Sequence, residues 1–226
     1  MEQNADLFSD PRGPATGPGL IVEREDFNAG RGPSSPWGSV QTRVIRTIGE
    51  DSVEEVSTAG HGGIHIPAKL NIIIPAPFRV PGGWYEEDCG WAAPVHFLPA
   101  FWADEDAART AAGKRSLRAE ACACLMTWQW QAWEAYTGAP MMEGISFLRD
   151  EAKAAEAHKA AGDWAGFSAV YSQEHEGFTL VWLRNPNGDE IRVEMPAATY
   201  ARREGTWYGT PEEVSGFPII ERKPRA

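Results

Sequence analysis

From Arg115 to Thr137 the chain reads RSLRAEACACLMTWQWQAWEAYT, with neither glycine nor proline inside it and with Gly138 standing where a helix C-terminal cap belongs. It is the best helix signal in the sequence. Leu117, Ala121, Cys124, Trp128 and Ala135 fall close to one stripe at helical spacing, and Leu125, Trp133 and Tyr136 widen it. The pattern predicts one long helix buried on more than one side, around which the rest of a domain must be arranged. What precedes it is broken into short pieces. Pro67, Pro75, Pro77 and Pro81 exclude a long helix or a central strand before Gly83, leaving a surface loop anchored by the apolar run of residues 71–74, and Pro94 and Pro99 keep the next elements short.

Strand signals flank this helical centre. SVQTRVIRTIG, the turn at Gly49-Glu50-Asp51 and SVEEVST predict an N-terminal β-hairpin ending near Thr58. GHGG then allows a sharp bend, and IHIP resumes an extended piece. The acids of WYEEDC favour a helical turn opening there, since carboxylates gather at helix N-termini. Asp104 to Ala112 reads as a helix stopped by Gly113, and Asp150 to Ala161 as a more polar one stopped by Gly162. After it, FSAVYSQ, FTLVWLR and EIRVEMP form an antiparallel meander with Asn187-Gly188 at its second turn. In the third strand Ile191, Val193 and Met195 should face inward, with Arg192 and Glu194 outward. The fold class expected is α+β: an N-terminal hairpin, central helices with one long buried helix, and a C-terminal antiparallel meander. Residues 1–36, rich in Gly, Pro, Ser and acids, read as a flexible arm whose Leu20-Ile21-Val22 hook could add to a sheet edge. Residues 37–205 read as a single domain, and 206–226 as a tail.

Composition narrows the function. Twenty-one basic residues against 32 acidic ones leave a net charge of −11 over 226 residues, which disfavours nucleic acid and suits a partner with a basic surface. Three cysteines without a CxxC pair predict neither a disulfide framework nor an oxidising compartment, so a cytoplasmic location is expected. The N-terminus has no secretory pattern, and no segment approaches the ~18 apolar residues of a membrane span.

Four stretches carry a resemblance. PWGSV at residues 36–40, VSTAGHGGIHI at 56–66, GGWYEEDCGWA at 82–92 and VEMPAATYARR at 193–203 are similar to a functionally uncharacterised family of bacterial, phage and plasmid proteins. The resemblance spans about Trp37 to Arg203 and implies a mobile-element context. It implies no reaction and no catalytic residue.

The chemistry must therefore be read from the residues. Cys89 as nucleophile with His61 as base, and Asp88 beside them, would make a small hydrolase; but Glu86, Glu87 and Asp88 crowd the sulfur, and like charges oppose the thiolate that such chemistry needs. His61 and His65 with Glu87 could hold a metal, although their spacing matches no zinc signature. The structural alternative is that His61 serves a turn, Cys89 is a buried inert thiol, and the acids of EEDC satisfy backbone donors or pair with Arg43, Arg46 or Arg79. Cys122 and Cys124 point to nearly opposite sides of a helix, which suits core packing rather than redox chemistry. No glycine pattern matches a nucleotide loop, so no cofactor is expected. The charge triplets EDSVEE, EEDC and DED could imitate a phosphate backbone or simply be solvated turns.

The expectation that follows is an acidic protein-binding module. It would dock on a host or phage protein, in one version to block a DNA-targeting defence system, with Trp130, Trp133, Glu86 and Glu87 as interaction residues. A small cysteine/histidine or metal-dependent hydrolase, and a virion or assembly component, are the alternatives.

Overall fold

A computed structural model describes residues 19–28, 30–202 and 205–223; residues 1–18 of the expected arm lie outside the described residues. The chain divides into two compact units, residues 1–146 and 147–226, where the sequence suggested a single domain over 37–205. Both units are α+β, and each has its own sheet and its own apolar core.

In the first unit the strands are β1 (Ile21–Asp26), β2 (Ser34–Ser35), β3 (Gly38–Ser39), β4 (Thr42–Ile48), β5 (Asp51–Ser57), β6 (Gly62–His65) and β7 (Trp84–Glu86). Five of them form an antiparallel sheet in the order β1-β4-β5-β6-β7, while β2 and β3 make a small hairpin of their own. The predicted hairpin is β4–β5, turning at Gly49 with Ile48 opposite Asp51. The hook in the arm does join a sheet edge: Ile21 to Asp26 runs antiparallel to β4. Between β6 and β7 the proline-rich stretch holds one helical turn, α1 (Ala68–Asn71), and two 3₁₀ turns. Within the apolar run Ile74 is buried, whereas Ile72 and Ile73 are exposed.

WYEEDC differs from expectation, because its first three residues are a strand and the helix α2 (Ala92–Phe97) opens only after Trp91. Tyr85 explains the difference. Its side chain is buried opposite Ile64, and its hydroxyl donates to Asn71 Oδ1 at 2.6 Å while accepting the Val80 N–H at 3.2 Å. Sheet pairing and this tie satisfy more of the segment than a free helical turn could.

One face of the sheet packs on a helical layer: α2, α3 (Ala103–Ala111), α4 (Leu117–Trp128) and α5 (Trp130–Thr137). Val53, Ile64 and Ile66 from the sheet meet Leu98, Leu117 and Leu125 from the helices in one core cluster. The long helix is interrupted at Gln129, whose φ of −122° and ψ of 38° lie outside helical values. No glycine or proline marks the break; Gln129 instead sends its side chain to a carbonyl distant in sequence, described below. The DED triplet is used structurally. Asp104 and Glu105 join Glu55 around the buried guanidinium of Arg46, and Asp106 accepts the N–H groups of Leu117 and Arg118 at the start of α4. A charge as buried as that of Arg46 persists only when paired on several sides, which fixes α3 against the sheet.

The second unit opens with α6 (Phe147–Ala161) and continues with β8 (Trp164–Tyr171), β9 (Phe178–Arg184), β10 (Glu190–Pro196), α7 (Ala197–Ala201), β11 (Tyr208–Gly209), α8 (Pro211–Ser215) and β12 (Ile219–Lys223). The meander is present as β8-β9-β10, and the residues read as a tail complete its sheet, β11 beside β8 and β12 beside β10. Trp207 and Val214 from that segment enter the core with Val181, Leu183, Ile191, Val193 and Met195. Trp207, a large anchor, and Val214 give the segment burial that helps to order it, while Ile219 and Ile220 of β12 stay exposed.

Glu194 departs from the outward position expected of it. It is buried, at 7% exposure, because the β8–β9 loop folds onto it: Ser172 Oγ donates to Oε1 at 2.6 Å, and His175 Nδ1 lies 2.7 Å from Oε2. The Ser172 hydrogen bond, with the His175 contact adding to it, holds the Glu194 carboxyl below its usual range. A depressed carboxyl stabilises the fold above its unfolded pKa and loses that contribution as pH falls through the folded value. Glu194→Gln is accordingly expected to speed amide exchange across residues 172–177 at neutral pH, with strands β9 and β10 unchanged; unchanged loop exchange would show that the carboxylate does not pin the loop.

Candidate functional site

The two conspicuous stretches, GHGG and EEDC, meet at the β6–β7 pairing, where Gly63 lies opposite Glu86 and His65 opposite Trp84. Thr58 and His61 close the turn before β6. The Thr58 N–H and hydroxyl both donate to the His61 carbonyl at 2.7 Å, and the His61 N–H returns a bond to the Thr58 oxygen. This leaves the His61 ring exposed, with Nδ1 3.8 Å from Glu87 Oε1.

Gly63 is a place where only hydrogen fits. A Cβ there would stand 2.2 Å from the Tyr85 carbonyl oxygen and 2.4 Å from the Trp37 indole. Trp37, carried by the turn between β2 and β3, thus lies on the sheet face away from the helices. It meets Trp84 edge-on at 5.7 Å, and Trp84 stacks on His65 at 4.3 Å. The histidine proposed as a metal ligand is the end of an aromatic stack.

Cys89 sits in the turn after β7. Its backbone carbonyl accepts Gln129 Nε2 at 3.2 Å and, more weakly, Cys124 Sγ at 3.9 Å. The helix break at Gln129 therefore pins the acidic turn to the helical layer. The Cys89 thiol is pushed up, first by burial and then by the charges of Glu86 and Asp88. Burial, with Cys89 adding, pushes the Cys124 thiol up to about 11, and burial raises Cys122 as well. Thiols held in the protonated form are poor nucleophiles at neutral pH.

The structure brings His61 to Glu87, Cys89 to Gln129 and Cys124, and His65 to Trp84. Among the described residues no three or more His, Cys, Asp or Glu side chains are grouped to hold a metal ion. The arginines named as partners for EEDC are engaged elsewhere: Arg43 with Glu25 and Glu54, Arg46 with Glu55, Asp104 and Glu105, and Arg79 with the carbonyls of Ile72 and Ile74. Among the described residues no lysine or arginine pairs with Glu86 or Asp88, so the turn keeps its negative charge.

Of the tryptophans singled out, Trp133 belongs to an aromatic cluster with Phe78, His96 and Tyr136, at centroid distances of 6.2, 5.7 and 6.1 Å. It is a packing residue. Trp130 opens α5 and is half-buried, and Trp128, last in α4, is 58% exposed. The sequence pattern places Trp128 on the buried stripe; it keeps that helical register as the last residue of α4, yet stands exposed at the helix end.

A second group escaped sequence reading altogether. His158 Nδ1 lies 2.7 Å from Asp163 Oδ2, and the imidazole stacks on Tyr208 at 4.1 Å and 10°. Its local signal is HKAAGD, residues 158–163. Gly162 at φ +84° ends α6 with its N–H on the Lys159 carbonyl and the Asp163 N–H on the His158 carbonyl, a Schellman closure that brings the two side chains together.

These features define an α+β protein whose most distinctive sequence stretches are built into sheet pairing and packing. A family model described as a domain of unknown function (DUF7007) matches residues 30–159, and the chain belongs to that family. The match takes in both GHGG and EEDC and ends within α6. No curated protein and no solved structure matches the chain. Among the described residues no helix is long and apolar enough to cross a membrane.

Proposed function

We propose that the first unit is a protein-binding module whose acidic turn, Glu86 to Asp88, docks on a basic surface of a partner protein. The observation that carries this reading is the bond from Gln129 to the Cys89 carbonyl, which ties an acidic turn, whose Glu86 and Asp88 pair with no lysine or arginine among the described residues, to a helix break carrying an exposed tryptophan, Trp128. An amphipathic aromatic anchor next to fixed charge is the usual make-up of an interface centre, because the ring supplies buried area and the charges supply orientation and speed of encounter. The resemblance of the sequence to bacterial, phage and plasmid proteins favours a host or phage protein as the partner, and makes a DNA-targeting defence protein the first to try.

The test is affinity capture from a bacterial lysate with three forms of the chain: the wild type, Glu86→Gln/Glu87→Gln/Asp88→Asn, and Trp128→Ala. One basic protein is expected to be retained by the wild type, weakened by added salt and lost with both variants. Equal recovery with all three forms would end the proposal.

A further inference from the structure

The second unit contains a cavity of about 380 Å³, a size suited to a small ligand. His158, Thr199, Arg202, Thr206 and Tyr208 reach its wall, and Trp207 and Phe217 supply apolar surface. We propose that this cavity binds a small organic phosphate, a phosphate monoester on a flat apolar body.

The argument begins with charge. The chain is acidic overall, yet Arg202 forms no ion pair among the described residues and stands at the cavity. The acid on the same wall, Glu213, is committed to the capping box of α8, where its Oε2 accepts the Thr210 N–H at 2.9 Å. The wall thus offers a guanidinium fork held in no ion pair, with the carboxylate of Glu213 turned to its own helix cap.

Hydrogen-bonding capacity points the same way. His158 Nδ1 lies 2.7 Å from Asp163 Oδ2, and because a carboxylate only accepts, Nδ1 carries the proton and Nε2 is the ring's remaining polar atom. Stacking on Tyr208 holds the ring in plane. Threonine hydroxyls at 199 and 206 and the tyrosine hydroxyl at 208 add rotatable donors. The guanidinium fork and the three hydroxyls together exceed what the two oxygens of a carboxylate can accept, and suit the three terminal oxygens of a phosphoryl group. Buried Trp207 and neighbouring Phe217 give the flat, apolar part of such a molecule a surface to cover.

Phenyl phosphate is the probe, with inorganic phosphate and phenol as its two halves. Titrated into the full chain and followed by the imidazole resonances of His158 and by calorimetry, phenyl phosphate is expected to shift those resonances and to bind at least about tenfold more tightly than either half. Arg202→Gln should weaken phenyl phosphate about tenfold and leave phenol unchanged. His158→Gln, which keeps a polar side chain but loses the ring stacked on Tyr208, should weaken it as well. Three results would overturn the assignment: no shift at His158, binding of phenol or inorganic phosphate as tight as that of phenyl phosphate, or an Arg202→Gln affinity equal to wild type. A correctly folded spectrum of Arg202→Gln, a surface-exposed position, separates loss of binding from loss of structure.

Discussion

Gly63→Ala is expected to destabilise the first unit by about 3 kcal/mol or more, whereas His61→Ala two residues away should change stability by no more than about 0.5 kcal/mol. The contrast follows from what each residue touches. The added methyl at position 63 would lie 2.2 Å from a backbone oxygen, that of Tyr85, and 2.4 Å from the Trp37 ring. An exposed side chain could swing aside, but the Tyr85 carbonyl is fixed by the β6–β7 pairing and by the buried ring beneath it, so relief requires the two strands to part. Separation would also undo the stack of Trp37, Trp84 and His65 and loosen the acidic turn after β7. His61, by contrast, projects to solvent, with Glu87 3.8 Å away as its ionic contact, and exposed pairs of this kind contribute little. Chemical denaturation of the two variants beside wild type reads both effects. Were Gly63→Ala as stable as wild type, the histidine-glycine stretch would not owe its composition to close packing, and a role for His61 in chemistry would regain ground.

How much of this was legible beforehand differs between local and distant causes. The β4–β5 hairpin, the meander, the helix stops at Gly113 and Gly162 and the inward trio Ile191, Val193 and Met195 all follow from period and turn chemistry within a few residues. The features that escaped depend on partners far along the chain. Nothing near Gln129 signals a helix break, because its partner is the Cys89 carbonyl. Glu194 alternates correctly as an outward residue, and its burial is imposed by a loop whose Ser172 and His175 reach back to it. The segment after residue 206 looks like a tail because its strands are short, and it is ordered by sheet edges formed elsewhere. At the site the same division holds. Acids near Cys89 could be seen to oppose ionisation, but burial, a tertiary quantity, is the larger cause. The His158–Asp163 pair has a local signal in HKAAGD, where the turn at Gly162 closes the two side chains together, but its partner Tyr208 lies far along the chain.

Acidification from neutral pH is expected to weaken the first unit through His96, and the His96→Phe variant should be spared most of that loss. His96 lies in α2 with its ring edge-on to Phe97 at 4.7 Å and 5.7 Å from Trp133, and its buried Nδ1 has no hydrogen-bond partner among the described residues. Burial, reinforced by the charge of Arg118, pushes the imidazole down to about 4, and a hydrogen bond to the Arg118 backbone offsets this only in part. The direction of the effect follows from which state binds the proton first. Above its ordinary value of 6.5 the ring is neutral folded and unfolded, and contributes nothing to pH dependence. Below that value the unfolded chain takes up a proton that the folded chain refuses, so stability falls with pH until the folded ring also titrates near 4. Over that window the loss amounts to roughly 3 kcal/mol, at 1.36 kcal/mol for each pKa unit. Phenylalanine fits the same aromatic surroundings and cannot titrate, so urea midpoints of wild type and His96→Phe should separate as pH is lowered through the window, with the variant the more stable at its acid end. If both lose stability in parallel, His96 is not the buried neutral base that its surroundings describe, and the acid sensitivity of the unit belongs to its carboxylates.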